Sequence, residues 1–153
     1  APKAHYVWDF STPDWVAKLV EIGTSNKSDV DITVEGLSVL SGGSTIKASD
    51  TTAGQYYIQP GGKGTATSRY FKFTAPGSGT LKVWTSNTGG SADDTRKVAV
   101  QQGEDASTLV EKSGGSPSGD APTENEFTVE EGEVRIWASG NALRFYKFEY
   151  QQD

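Results

Sequence analysis

Cations set beside aromatic rings are the chemistry that this sequence offers most plainly. Tyr70-Phe71-Lys72-Phe73 and Leu81-Lys82-Val83-Trp84 both alternate at period two. In a strand this puts Phe71 and Phe73 on one side and Tyr70 and Lys72 on the other; Leu81 and Val83 oppose Lys82 and Trp84 in the same way. Val134-Arg135-Ile136-Trp137 repeats the pattern. Lys147 lies in the run Leu143–Tyr150, whose two sides both carry aromatics, so periodicity does not choose between them. Lys72, Lys82 and Trp84 are expected to share one outer face, with Arg135 and Trp137 on a similar one. Aromatic rings pack on the faces of pyranose sugars, and ammonium or guanidinium groups pair with carboxylates through charge-assisted hydrogen bonds. Any single lysine here reads as ordinary strand surface, but exposed tryptophans beside several cations need a reason. Lys63, in a glycine-rich turn, can reach a ligand at the sheet edge. Arg69 and Arg96 read equally as binding groups and as structural partners of Asp93, Asp94 or a backbone carbonyl.

The elements that must position these residues are short strands. Tyr6–Phe10 reads as a first strand. Thr12-Pro13-Asp14-Trp15 is a helix start, with Trp15, Val16, Leu19, Val20 and Ile22 at helical spacing and Gly23 as a stop. Asp31–Leu40 reads as one strand bulged at Gly36. Residues 45–49 and 55–59 are further strands. Arg69–Trp84 reads as two strands joined by the turn Ala75–Gly79, and Glu124–Val129 with Glu133–Ala138 as a hairpin around Glu130-Glu131-Gly132. Arg96–Gln101, Ser107–Lys112 and Leu143–Tyr150 complete the set, and residues 113–122 form the longest loop. About ten short strands with frequent turn signals make an all-β chain. The expected fold is a jelly-roll-like β-sandwich of two antiparallel sheets with one short helix near the N-terminus, a single module over residues 1–153.

Composition removes several function classes. The 153 residues carry a formal net charge of -6, which argues against a nucleic-acid or anionic-membrane partner. There is no cysteine, and His5 is the one histidine. Disulfides, Cys/His zinc sites and cysteine nucleophiles are therefore excluded, and a catalytic triad would have to use a residue near the chain end. No run approaches the length of a membrane-spanning helix. Gly61-Gly62-Lys63-Gly64 lacks the spacing of a phosphate-binding loop. Glu130, Glu131, Glu133 and Glu149 are available for glycoside hydrolysis, but nothing in the sequence pairs them across a cleft. Asp93, Asp94, Glu104, Asp105 and Asp120 sit in loops; a structural Ca²⁺ would need about six to eight oxygens converging there, which leaves the metal question open. No other cofactor is expected.

Along the chain stand, in order, Trp8-Asp9-Phe10-Ser11, Gly36-Leu37, Gly61-Gly62, Ser68-Arg69, Phe73-Thr74, Gly79-Thr80-Leu81 with Val83, Arg96 with Val98 and Val100, and finally Gly132, Ile136-Trp137, Ser139-Gly140 and Tyr146. This order of motifs resembles the family-77 carbohydrate-binding modules and related β-sandwich domains attached to bacterial pectate lyases. No single motif is specific; their order and spacing carry the likeness over nearly the whole chain. Trp84 and Trp137 stand where the family more often has tyrosine, Gln59 stands where it often has a base, and the 113–122 loop is longer. The resemblance implies a non-catalytic module that binds pectin, chiefly homogalacturonan of low esterification, with lysines on galacturonate carboxylates. It further implies a secreted, extracellular, bacterial and monomeric module tethered to a catalytic domain. The competing expectations are a structural or adhesive sandwich, and a module for another glycan such as alginate or a neutral β-glucan.

Overall fold

The structure, a computed structural model, describes residues 2–50 and 55–153. Among them the chain forms β1 (His5–Asp9), α1 (Pro13–Ile22), β2 (Asp31–Val34), β3 (Leu37–Leu40), β4 (Ile46–Asp50), β5 (Tyr56–Pro60) and β6 (Tyr70–Ala75). Then follow β7 (Gly79–Ser86), β8 (Lys97–Gln102), β9 (Asp105–Ser113), β10 (Thr123–Val129), β11 (Gly132–Ser139) and β12 (Arg144–Gln152). A first sheet runs β10-β7-β12-β5-β4, with β1 also on the outer end of β12; a second runs β2-β3-β6-β11-β8-β9. Neighbours pair antiparallel. The expected β-sandwich with one short helix is what forms.

The core lies between the sheets. Phe71, Phe73, Val98, Val100, Val134 and Ile136 point in from the second sheet, and Leu81, Val83, Phe127, Phe145, Phe148 and Tyr150 from the first. Burying a side chain of this size contributes about 1.5–3 kcal/mol. Tilted and edge-to-face ring contacts, such as Phe71–Phe148 at 4.9 Å and Phe10–Trp15 at 4.7 Å, add directional packing. The helix closes one end. Thr12 is extended and its carbonyl accepts from the Val16 amide at 2.9 Å, while the Gly23 amide, at φ 82°, caps Leu19 at 2.9 Å. Trp15, Leu19 and Ile22 on its inner face are buried.

Four expectations change. β6 and β7 are not a hairpin: β6 belongs to the second sheet and β7 to the first, so residues 76–78 carry the chain across the sandwich. The Tyr150 hydroxyl donates to the Gly77 carbonyl at 2.5 Å and fastens that crossing to the end of β12. A side chain at residue 79 would meet the Gln151 carbonyl at 2.4 Å, so the close approach of β7 to β12 requires Gly79. β10 and β11 likewise sit in different sheets, with Gln102 bracing the crossing by accepting from the Glu130 amide at 2.9 Å. Asp31–Leu40 is two strands, reversed by a tight turn at Glu35 (φ 52°) and Gly36 (φ 89°), rather than one bulged strand. In β12 the register shifts between Phe145 and Lys147, so Phe145 and Phe148 both face the core and strict alternation fails.

Candidate functional site

The outer surface of the first sheet is ordered in rows across the strands. Glu124, Trp84, Lys147 and Asp9 stand in register on β10, β7, β12 and β1. One step along, Glu126, Lys82, Glu149 and Val7 form the next row, followed by Thr128, Thr80, Gln151 and His5. Successive outward residues on one strand are about 7 Å apart, and strands about 4.8 Å.

Trp84 is partly exposed, and the Lys147 ammonium stands 4.8 Å from its ring centre. Lys147 makes no ion pair with any described residue. The bulge in β12 places Tyr146 beside this pair. Its hydroxyl lies 3.0 Å from Ser86 Oγ, and its ring is 5.8 Å from Tyr57, over which the Arg144 guanidinium sits at 4.4 Å. Asp9, Ser11, Gln55, Trp84, Pro122, Tyr146 and Lys147 together line a cleft of about 390 Å³ at the loop end of the sheet. The Ser11 amide donates to Asp9 Oδ1 at 2.9 Å, which fixes the Asp9 carboxylate at the cleft wall. A ring, a cation and a carboxylate in one open cleft can stack on a sugar and donate to and accept from its polar groups.

The neighbouring row differs. Lys82 Nζ lies 3.8 Å from a carboxylate oxygen of Glu124 and stands between Glu126 and Glu149 in register. Thr80, Lys82, Glu126, Glu149 and Gln151 line a second cleft of about 300 Å³. His5 Nε2 lies 2.6 Å from Glu149 Oε2 at its far side.

Of the remaining expected site residues, Lys72, Arg135 and Trp137 lie on the opposite surface, outside the second sheet. Lys72 and Arg135 pair in register there, as do Tyr70 and Trp137. This corrects the expectation that Lys72 shares a face with Lys82 and Trp84: the crossing at residues 76–78 separates them. Trp137 points outward from the strand as expected but is only 7 % exposed. The segment 61–69 folds over it, with the Gly64 amide donating to the Ala138 carbonyl at 2.7 Å. A Cβ at residue 64 would stand 2.5 Å from the Arg69 carbonyl oxygen and 3.0 Å from the Trp137 Cβ, so only glycine fits.

The arginines hold that cover in place. Arg135 donates to the Ala66 carbonyl at 2.6 Å and to Glu133 at 2.9 Å, lies 3.5 Å from Glu104, and covers the Tyr70 ring at 5.1 Å. Arg69 donates to the carbonyls of Thr45 at 3.0 Å and Lys63 at 3.3 Å. Lys63 itself is exposed on this segment. Arg96 resolves to its structural role: it donates to Asp93 at 3.1 Å, to Thr88 at 2.8 Å and to the Ala142 carbonyl at 2.8 Å, tying two loops together.

The loop carboxylates have local partners. The hydroxyl and amide of Thr95, and then Arg96, hold the Asp93 carboxyl below the usual range. Ser107 does the same for Asp105. No three His, Asp or Glu side chains among the described residues converge where an ion could sit. Asp9, Ser11, Gln55, Tyr146 and the row Glu124, Glu126, Glu149 were not singled out as binding residues from the sequence. The alternation Glu124, Glu126 and Thr128 marks an outward edge, but which lysine it meets depends on pairing that is non-local.

No family model matches the chain, and no curated protein matches it in sequence. Among solved structures, one reported with the glycan recognition of the Ruminococcus flavefaciens cellulosome is similar at 18 % identity, covering 99 % of this chain and 97 % of that one, with a TM-score of 0.48. The exo-β-1,3-galactanase of Phanerochaete chrysosporium with β-1,3-galactotriose gives 15 % identity over 81 % of this chain and 29 % of its own, TM-score 0.45. CBM35 from Cellvibrio japonicus Abf62 gives 8 % identity over 96 % and 92 %, TM-score 0.34. The function proposed below rests on the chain's own geometry.

Proposed function

We propose that this chain is a non-catalytic carbohydrate-binding module that takes a uronic-acid-bearing polysaccharide on the outer face of its first sheet. The observation that carries the proposal is the open pair of Trp84 and Lys147 in the cleft at the loop end. Trp84 offers a flat apolar surface for a pyranose ring. Lys147, which forms no ion pair among the described residues, donates to a uronate. Asp9 and Ser11 supply acceptor and donor for ring hydroxyls. The ligand is pectin carrying free carboxylates, homogalacturonan of low esterification, and the setting is an extracellular module that concentrates a tethered enzyme of the same parent chain on its substrate. A charge-assisted hydrogen bond contributes about 1.5–3 kcal/mol, and one or two such contacts less the entropy of association give a Kd of roughly micromolar to millimolar.

Calorimetric titration with polygalacturonate, esterified pectin, alginate and a neutral β-glucan at two ionic strengths tests this. Binding to the uronate polymers that weakens with salt, and that falls roughly thirtyfold in Trp84→Ala and also falls in Lys147→Ala, is expected. Binding of the neutral glucan alone would remove the uronate from the proposal. Absence of binding to every glycan would leave a structural or adhesive sandwich.

A further inference from the structure

The two clefts on the first sheet adjoin one another. Trp84 and Lys82 are successive outward residues of β7, and Lys147 and Glu149 of β12, so both strands run from one cleft into the other. The step between rows is about 7 Å along the strand. A glycan lying along β7 and β12 with one residue on Trp84 therefore runs on over Lys82.

The lysines met at the two positions differ in their pairing. At the first, the Lys147 ammonium has no carboxylate partner among the described residues. At the second, Glu124 lies 3.8 Å from Lys82, and Glu126 and Glu149 flank it on β10 and β12. Lys82 is paired with Glu124 alone, and Glu149 has His5 Nε2 at 2.6 Å. A further carboxylate arriving with the ligand would have to displace Glu124 and face Glu126 and Glu149, an unfavourable like-charge contact in a partly desolvated cleft. A neutral sugar meets the opposite situation: carboxylates flanking an ammonium accept from vicinal hydroxyls on either side while Lys82 donates to a ring or hydroxyl oxygen, and Thr80 and Gln151 extend the same polar surface.

We infer that the second cleft is a specificity-determining subsite for an uncharged pyranose, so that the preferred ligand carries a free uronate next to a neutral residue. In a galacturonan that neutral residue is a methyl-esterified unit; in a mixed polymer it is a neutral sugar. This rests on the proposed function, because it assumes the Trp84 cleft holds the adjoining uronate. Its new content is that Glu126 and Glu149 select against an unbroken run of free uronates.

The test compares fully de-esterified, half-esterified and fully esterified galacturonan of matched length, titrated into the wild type, Trp84→Ala and the double variant Glu126→Gln/Glu149→Gln. The double variant keeps size and hydrogen bonding at partly exposed positions, and its melting temperature should match the wild type. The wild type is expected to bind the half-esterified probe about tenfold more tightly than the fully de-esterified one, and the double variant to close that gap to about twofold. The wild-type gap should also narrow as salt is raised. If Trp84→Ala weakens binding but the double variant leaves the ratio of the two affinities unchanged, the inference is overturned and the binding function stands. If Trp84→Ala changes no affinity, both are overturned.

Discussion

The two outer faces of this sandwich carry nearly the same ingredients and put them to different uses. On the first sheet Trp84 stands beside Lys147, and on the second Trp137 stands near Arg135, each pair pointing away from the core. Trp84 is open in a cleft. Trp137 is covered by the segment 61–69, and Arg135 is 11 % exposed and bonded to Ala66, Glu133 and Glu104. An aromatic ring beside a cation is thus a ligand surface only where no other part of the chain has covered it. On the second sheet the chain supplies its own ligand in the form of a glycine-rich loop. The carbonyls of Ala66 and the carboxylates of Glu133 and Glu104 take the place that an acidic partner would have to occupy.

That contrast is open to attack by substitution. Trp137→Ala should cost about 3–5 kcal/mol of folding free energy, because it empties a packed site under the loop. Urea unfolding followed by circular dichroism measures it, and a loss under 1 kcal/mol would place Trp137 with the exposed rings. Trp84→Ala should do the reverse: unfolding is nearly unchanged, while glycan affinity drops roughly thirtyfold, the scale of about 2 kcal/mol for an aromatic anchor. Arg135→Ala leaves the Ala66 carbonyl and the Glu133 carboxylate without their donor and should cost about 1–3 kcal/mol, with no change in glycan affinity. Coupled loss of binding would mean that the two faces communicate.

Acid should act on the loops rather than on either face. Asp93 has its folded-state affinity for a proton lowered by Thr95 and Arg96, so its contribution is present above about pH 3.9 and is lost as pH falls through the lower folded value. Asp93→Asn should flatten the acid limb of a plot of stability against pH; an unaltered limb would assign acid sensitivity elsewhere. The smallest effect belongs to Lys72→Ala. Lys72 lies on the covered face with no ion pair among the described residues, and its loss should move stability by less than about 0.5 kcal/mol and glycan affinity not at all. A drop in affinity there would bring the second sheet back as a binding surface.

Much of the local structure was legible in the sequence. Period-two alternation placed Phe71, Phe73, Leu81, Val83, Val134 and Ile136 inward, and it put Lys82, Trp84, Arg135 and Trp137 outward, all as found. Thr12-Pro13 and Gly23 bounded the helix, because capping and φ restriction act within a turn. The reading failed where the answer lay in non-local pairing. Residues 70–84 alternate the same way whether β6 and β7 pair or cross between sheets, so Lys72 was assigned to the wrong side of the molecule. The shift between Phe145 and Lys147 could not be seen in a run with aromatics on both sides, yet it is what turns Lys147 outward and sets Tyr146 at the cleft.

By itself, then, the sequence determined the fold class, the helix and the direction in which most strand residues point, since these follow from propensity, capping and the two-residue repeat of a strand. Tertiary structure alone decided which outward residues are neighbours, which are covered, and which charges meet. Those depend on strand order, register and the path of residues 61–69, set by contacts between segments far apart in the chain. The pairing of Lys147 with Trp84, and of Lys82 with Glu124, exists only because β7 lies between β10 and β12.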